Sequence, residues 1–180
     1  AATVKVTIPE GFTVHQIFLR LEENGVADYN DLMDAAANEV FNYSFLEGTE
    51  SLGAYRLEGY LFPDTYEFYV GMQASSAINK MLDNFNRKIT EDMQARLEEL
   101  GMSLGDIVNV ASLIEKEAAN DSERPVISSV IYNRLNYDTP LGIDAAVLYP
   151  YPEHEGAPTA EMLAKDDPYN TRIKLGLPPT

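Results

Sequence analysis

The sequence predicts an α+β fold, in which a small N-terminal lobe of one strand and two helices precedes a mainly helical region with short strands. Three observations predict it. Polar and apolar residues alternate near the N-terminus, apolar residues recur at helical spacing in several later segments, and an aromatic stretch containing Gly and Pro lies between the helices. We place the N-terminal lobe at residues 1–50 and the second region at residues 51–180.

The N-terminal lobe begins at residues 4–8, where apolar and polar side chains alternate as they do in a half-buried strand. Thr13 and Gln16 have the spacing of a capping box, in which each side chain accepts a hydrogen bond from the other residue's backbone N–H. Apolar residues then follow at helical spacing, and Asn24 and Gly25 are typical of a helix end. The sequence therefore predicts a strand and then a first helix.

A second helix, capped by Asp28 or Asn30, is predicted over residues 32–40, and a loop over residues 48–53. Residues 55–68 are aromatic and contain Gly and Pro, which makes them too irregular for a long helix or strand. We expect short extended segments around a turn there. Aromatic side chains at alternate positions belong to a core more often than to a surface that stacks on a ligand.

Most of the remaining chain is predicted to be helical. Apolar spacing indicates helices over residues 78–89 and 93–100, the second of which ends at a glycine. A further capping signature opens a fifth helix over residues 103–118, and a sixth helix covers residues 121–135. Beyond it, segments rich in Pro, Gly and Tyr indicate loops, with a strand near residues 145–149.

The charge of the chain excludes some classes of partner. Its 180 residues contain 13 Lys and Arg against 29 Asp and Glu, a formal net charge of −16. Nucleic-acid binding depends on basic side chains that neutralise phosphates, so nucleic acid is not an expected partner. The same charge disfavours an anionic membrane surface. Neutral polymers, small molecules and proteins remain as candidate partners.

The absence of cysteine excludes disulfides, thiol nucleophiles and thiolate metal sites. Since His15 and His154 are the only histidines, we expect no histidine-based metal site and no metal cofactor. The longest apolar runs fall far short of the roughly 20 residues that a membrane span needs. The chain does not begin with methionine, which suggests a processed or excised segment.

Two glutamates in the fifth predicted helix are the candidate reacting groups. Lys116 lies opposite the apolar stripe of this helix, and Glu115 and Glu117 flank the stripe on its two sides. Residues two apart do not share a helix face, so these carboxylates cannot form an acid and base pair aimed at one bond. The stripe consists of Ile107, Val110, Ala111, Ile114 and Ala118.

Glu115 shares its flank with Leu104, Val108 and Ala111, so we expect its carboxyl to be partly desolvated. Partial desolvation favours the protonated form that a general acid needs. The Glu117 carboxyl can be partly desolvated in the same way on its own flank. Both residues can also be boundary residues that form pairs on the helix surface. Periodicity does not choose between these alternatives.

Several blocks of the sequence are similar to those of a known family. The fifth and sixth predicted helices and the turn between them contain ASLIEKE at 111–117, SER at 122–124 and VIYNRL at 130–135. Two further blocks are LEGYLFPDTY at 57–66 and PYNT at 168–171, the second of which is followed by GLPP. In this order and over nearly the whole chain, the blocks resemble the YceG-like (MltG) family of endolytic murein transglycosylases.

The resemblance implies that residues 51–180 are the catalytic region and that Glu115 is its catalytic acid and base. The implied reaction cleaves the β-1,4 bond between N-acetylmuramic acid and N-acetylglucosamine without water. A single carboxyl protonates the leaving oxygen and then takes the proton of the muramyl C6 hydroxyl, which closes a 1,6-anhydro ring. This agrees with the helix pattern, which leaves one carboxyl to act alone.

The resemblance also implies substrate-binding residues, each of which has a structural alternative. Glu58 would hold sugar hydroxyls or Glu115, or else form a salt bridge. Asn133, a mediocre helix former late in its helix, would bond to the glycan or to backbone. The other three would recognise an N-acetyl sugar or simply form a turn after a proline: Tyr169, Asn170 and Thr171.

The implied substrate is the glycan strand of peptidoglycan, with cell-wall synthesis enzymes as further partners and no cofactor. By this resemblance the full-length protein acts outside the cytoplasm and is held at the membrane by an anchor that is absent from this chain. The sequence departs from the family at Ala145 and Ala146, which follow Asp144 in place of a Pro-Thr-like pair, and at Arg172, where an aromatic residue is usual. Family members also continue beyond Thr180.

Two other functions are compatible with the sequence. A muramidase would admit water in place of the C6 hydroxyl and would release reducing ends. A non-catalytic module would bind glycan strands or a divisome partner without cutting. The products of digestion and the effect of replacing Glu115 distinguish these functions from the transglycosylase.

Overall fold

Strand β1 (Thr3–Ile8) pairs antiparallel with β2 (Asp64–Tyr69) in the computed structural model, which describes residues 1–179. The register sets Val6 opposite Tyr66, and both side chains are buried on the same face of the sheet. Burial also raises the pKa of the Tyr66 phenol, whose hydroxyl donates to the carbonyl of Phe62. The N-terminal strand and the extended segment within the aromatic stretch are both confirmed.

Three helices accompany this sheet: α1 (Val14–Glu23), α2 (Tyr29–Asn38) and α3 (Ala74–Lys88). Helix α1 contacts β1 and α2, and α2 contacts α3. The predicted capping box is present, because the Gln16 N–H donates to Thr13 Oγ1 at 3.2 Å and the Thr13 N–H donates to Gln16 Oε1 at 2.9 Å. The buried side chains of the three helices are Val14, Ile17, Phe18, Leu21, Leu32, Ala35, Ala36, Ala77, Ile78, Met81, Leu82 and Phe85.

Between α2 and β2 the chain forms two 3-10 segments, Ser44–Leu46 and Glu50–Leu57. The second segment occupies part of the predicted loop at 48–53, because a 3-10 turn is too short to show the apolar periodicity that predicts a helix. Phe45 stacks on Tyr60 with 4.8 Å between ring centroids, and Tyr60 is buried. The aromatic stretch therefore contributes to the core, as its alternation indicated.

Arg56, in the 3-10 segment Glu50–Leu57, is buried, and its side chain contacts the C-terminal end of α2. Its Nε donates to the carbonyl of Ala36 at 2.6 Å, and its Nη2 donates to the carbonyl of Glu39 at 2.5 Å. The guanidinium also lies over the Phe41 ring, 5.5 Å from the centroid. The last carbonyls of a helix have no intrahelical donor and carry partial negative charge. The Arg56 guanidinium donates hydrogen bonds to carbonyls at this helix end, and its positive charge is favourable beside them.

The chain divides into two compact units, Ala1–Leu104 and Gly105–Thr180. Helix α4 (Glu91–Leu100) is the last helix that lies entirely in the first unit. The Met93 N–H donates to Thr90 Oγ1, which caps the start of the helix, and Gly101 ends it in a left-handed conformation with φ of 64°. None of its residues is buried. The division into a lobe at 1–50 and a catalytic region at 51–180 is a different partition of the chain, and it stays a prediction.

The second unit contains nearly all of α5 (Leu104–Glu117) together with α6 (Arg124–Asn136), α7 (Asp144–Leu148) and α8 (Ala160–Ala164). A 3-10 turn at Asp121–Glu123 connects α5 to α6. The buried apolar side chains of this unit are Val110, Leu113, Ile131, Leu141, Ile143, Ala146 and Val147.

The strand predicted near residues 145–149 is wrong, because α7 occupies this position. Ala145 and Ala146 are strong helix formers, and Asp144 in the first turn is favoured by the partial positive charge of a helix N-terminus. A helix of five residues is too short for its period to appear in the sequence. Among residues 1–179 the strands are β1 and β2, and the predicted α+β class with a mainly helical second region is confirmed.

Over the same described residues, no helix combines the length and the apolar character needed to cross a membrane.

Replacing Arg56 with Met is expected to reduce the free energy of unfolding by about 2–4 kcal/mol, because two backbone carbonyls lose their donors where water does not easily replace them. Chemical denaturation followed by circular dichroism measures the loss. Arg87→Met is the matched control, since Arg87 is 69% exposed and pairs with Asp83 on the helix surface. Its expected cost is under about 0.5 kcal/mol. Equal losses in the two variants would contradict the capping role of Arg56.

Candidate active site

Helix α5 buries one face, which contains Asn109, Val110 and Leu113. Ala111 is exposed, so the predicted apolar stripe is wrong at this position. The buried face instead includes the polar Asn109, whose Nδ2 donates to the carbonyl of Pro178 at 2.7 Å. This hydrogen bond allows a polar residue to lie on the buried face, and apolar periodicity has no means of detecting it.

Glu115 lies on the other side of α5 from this buried face. At about 100° per residue, it is roughly 140° around the helix from Val110 and 160° from Leu113. Its side chain is half-buried, with 34% of its surface exposed, whereas Glu117 and Lys116 are exposed. The structure thus distinguishes two carboxylates that the sequence pattern alone left equivalent.

Arg124, the first residue of α6, forms an ion pair with Glu115. Its Nη2 lies 3.1 Å from Glu115 Oε2 and 3.3 Å from Asp121 Oδ1. The turn between the helices is closed by the Ala119 N–H, which donates to Glu123 Oε2 at 2.7 Å. Arg124 is therefore placed between two carboxylates where α6 returns to the end of α5.

Sequence reasoning missed this contact, although the SER block contains Arg124. The two partners are nine residues apart across a turn, and the three- and four-residue spacing that reveals pairs along one helix does not apply there. The turn itself was the available signal, because Asp121 or Ser122 marks the start of a new helix close behind the end of α5.

Asn170 is buried, and its amide is engaged within the protein. Its Nδ2 donates to the carbonyls of Lys165 at 2.7 Å and Leu163 at 3.0 Å, and its Oδ1 accepts from the Arg172 N–H at 3.1 Å. Both carbonyls lie at the C-terminal end of α8. The Asn170 side chain therefore satisfies the end of this helix and holds the segment that follows it.

Thr171 is also buried and attaches this segment to the start of α7. Its Oγ1 donates to the carbonyl of Ile143 at 2.9 Å and accepts from the Ile143 N–H at 2.8 Å. Its own carbonyl accepts from the Gly142 N–H at 2.8 Å. Beside it, Arg172 Nη2 lies 2.7 Å from Asp144 Oδ1. The departure from the family pattern at position 172 thus supplies an ion-pair partner for Asp144.

Tyr169 and Asn133 are more accessible than Asn170 and Thr171. Tyr169 is half-buried, with its ring centroid 5.0 Å from that of Tyr149, and Asn133 is exposed on α6. Of the predicted sugar contacts in the second unit, these two present side-chain surface that a ligand can reach.

Glu58 belongs to the first unit, whereas the other predicted site residues belong to the second. Its two carboxylate oxygens accept from the Val14 N–H at 3.1 and 3.2 Å. A carboxylate is favourable at this position, because the first N–H groups of α1 have no intrahelical acceptor.

Within residues 1–179, no three His, Asp or Glu side chains are arranged to hold a metal ion. The second unit instead presents a half-buried carboxyl with a cationic partner. Such a group can exchange a proton with a bound ligand, and the guanidinium contacts one of its two oxygens.

The model of the YceG-like family matches residues 1–180. Proteins named endolytic murein transglycosylase from Streptococcus pneumoniae serotype 2 and Bacillus subtilis are each 31% identical to this chain, over 194 and 170 residues. The alignments cover 97% and 93% of this chain, which spans only 35% and 45% of the relatives' own lengths.

The crystal structure of a YceG-like protein from Listeria monocytogenes is also similar. It aligns with a TM-score of 0.81 and 32% sequence identity, over 99% of this chain and 62% of that one. Sequence and fold therefore agree over essentially the whole chain, and the chain belongs to the YceG-like family.

Proposed function

We propose that this chain is the part of an endolytic murein transglycosylase that cuts peptidoglycan strands, with Glu115 as the only acid and base. The observation that carries the proposal is the position of Glu115, half-buried on α5 away from the buried face and paired with Arg124. The curated relatives from Streptococcus and Bacillus, which carry the name of this activity, support it.

The proposed reaction needs one carboxyl because the substrate supplies the nucleophile. Protonated Glu115 gives its proton to the oxygen that bridges N-acetylmuramic acid C1 and N-acetylglucosamine, and the C1–O bond breaks. The muramyl C6 hydroxyl then bonds to C1 and gives its proton to the Glu115 carboxylate. The products are a 1,6-anhydromuramyl end and a free N-acetylglucosamine hydroxyl. The enzyme regains its initial protonation state, and no water is consumed.

The other predicted site residues divide into two groups in this proposal. Tyr169 and Asn133 contact the glycan, because their side chains are accessible. Asn170 and Thr171 hold the segment that carries Tyr169, because their polar groups are engaged with backbone. Glu58 supports α1 through its contact with Val14. Direct sugar contacts by Glu58, Asn170 and Thr171 stay predictions.

The proposed substrate determines where the protein works. Peptidoglycan lies outside the cytoplasm, so we place the chain there, attached to the cell membrane in the full-length protein and acting beside cell-wall synthesis enzymes. The net charge of −16 suits a neutral sugar backbone better than a phosphate polymer.

A hydrolytic muramidase is the second candidate, and one observation favours it. Asp121 shares the Nη2 atom of Arg124 with Glu115, so a second carboxylate lies near the first. Paired carboxylates are the usual machinery of glycoside hydrolysis. Against this role, the Asp121 side chain is 91% exposed, which leaves its carboxylate solvated.

Glu115→Gln is expected to lower the rate of peptidoglycan cleavage on the order of 10²–10⁴-fold, because the amide can neither give nor take the proton. Release of muropeptides, separated by chromatography and identified by mass spectrometry, measures the rate. Glu117→Gln is the matched control, since this neighbour on α5 is exposed, and it should keep the parental rate. Parental activity in Glu115→Gln would refute the assignment. Binding without cutting in both parent and variant would favour a binding module.

Asp121→Asn separates the lyase from the hydrolase. If Glu115 acts alone, this variant keeps the rate within about threefold and still releases 1,6-anhydro ends, because an exposed ion pair contributes little. Muropeptide mass spectrometry identifies the ends. A loss comparable to that of Glu115→Gln, with reducing ends released by the parent, would show that two carboxylates act and that the product is hydrolytic.

Asn170→Ala and Asn133→Ala should affect different properties. The first variant removes the donor to the partly buried carbonyls at the end of α8, so we expect the free energy of unfolding to fall by about 1–3 kcal/mol. The second removes an exposed side chain, so stability changes by under about 0.5 kcal/mol while KM for glycan strands rises. Denaturant titrations and steady-state kinetics measure the two effects. Unchanged stability in Asn170→Ala would contradict its positioning role.

A further inference from the structure

We propose that Arg124 is a positioning residue for the reaction, which holds one oxygen of Glu115 and directs the other toward the glycosidic bond. This inference rests on the proposed function of Glu115. The ion pair runs from Arg124 Nη2 to Glu115 Oε2 at 3.1 Å, so Oε1 is the oxygen left for the substrate.

The first reason is conformational. Glu115 lies in the last turn of α5, and a half-exposed glutamate samples several rotamers. A carboxyl that must reach both a leaving oxygen and a C6 hydroxyl loses rate steeply when it is misplaced, by about 10²-fold for an ångström. Arg124 restricts Glu115 because its guanidinium is itself placed by the turn between α5 and α6.

That placement has two supports. The Ala119 N–H donates to Glu123 Oε2 at 2.7 Å, which fixes the turn just before Arg124. Asp121 Oδ1 lies 3.3 Å from the same Nη2 that contacts Glu115. Asp121 therefore makes a second contact with the guanidinium, but its carboxylate is 91% exposed, so this contact is weak and its loss in Asp121→Asn leaves the rate within about threefold.

The second reason is the charge that develops during the reaction. When Glu115 gives its proton to the leaving oxygen, a carboxylate forms beside the guanidinium and is stabilised by it. This carboxylate is the base that then takes the proton of the C6 hydroxyl. Arg124 thus assists the step in which the carboxyl becomes charged, without itself giving or taking a proton.

A purely structural role makes a different prediction. The side chains of Arg124 and Glu115 are 45% and 34% exposed, so the ion pair adds little to stability. If the pair only connected α5 and α6, its loss would change stability slightly and leave kcat alone. A positioning role lowers kcat while KM and Tm stay nearly constant.

The test compares R124Q, R124K and R96Q in the protein at its natural length, with soluble glycan strands as substrate. Arg96 is the matched control, because it forms an exposed ion pair with Glu99 on α4. We expect R124Q to lower kcat about 10–100-fold with KM within about threefold and Tm within about 2 °C of the parent. R124K, which keeps the charge but not the planar guanidinium, should fall between R124Q and the parent. Added guanidinium ion at a non-denaturing concentration should partly restore R124Q, whereas urea should not.

Parental kcat in a folded R124Q would overturn the proposal while leaving the proposed function intact, provided that Glu115→Gln is inactive. If Glu115→Gln keeps parental activity, the proposed function itself fails. Should R124Q lose its helical circular dichroism signal, R124K decides: a lowered kcat at parental Tm supports positioning, and a parental kcat overturns it.

Discussion

The ends of the short helices in this chain need partners for backbone groups that have none within the helix, and side chains from outside the helix supply them. Glu58 accepts from the first N–H of α1, Arg56 donates to carbonyls at the end of α2, and Asn170 donates to carbonyls at the end of α8. The Glu58 and Arg56 contacts connect residues 44 and 20 positions apart, whereas Asn170 bonds to carbonyls five and seven residues before it. The positions of the loops depend on these contacts, and so does the segment that presents Tyr169.

This constraint explains why some polar residues of the family-like blocks have structural partners. The Asn170 amide, which is buried and bonded to backbone groups through both its nitrogen and its oxygen, has little capacity left for a sugar. The proposed reacting group, Glu115, has the opposite environment. Glu115 lies away from the face of α5 that buries Asn109 and Leu113, and its ion pair with Arg124 is partly open to solvent. The carboxyl that we propose for the chemistry is thus one that accepts no hydrogen bond from any backbone N–H that the structure describes.

Much of the fold follows from the sequence, because strand alternation, capping boxes and amphipathic spacing are local signals. The Thr13 and Gln16 capping box is an example that the structure reproduces atom by atom. The failures have physical causes. Helix α7 is too short to show a period, and Asn109 lies on a buried face only because Pro178 accepts its hydrogen bond.

The candidate site was predictable in part. The helix pattern reduced the choice to Glu115 or Glu117, and the resemblance to a family selected Glu115. The pairing with Arg124 depends on how the turn returns α6 toward α5, and the engagement of Asn170 depends on where α8 ends. Contacts of this kind are fixed by tertiary geometry, so residue spacing alone does not reveal them.

We propose that Glu115 acts alone because the sugar supplies its own nucleophile. The most direct test is digestion of peptidoglycan in heavy-oxygen water, followed by mass spectrometry of the new muramyl ends. Anhydro-ring closure predicts ends that contain no heavy oxygen and are one water lighter than hydrolytic ends. Incorporation of one heavy oxygen at each new muramyl end would contradict the account.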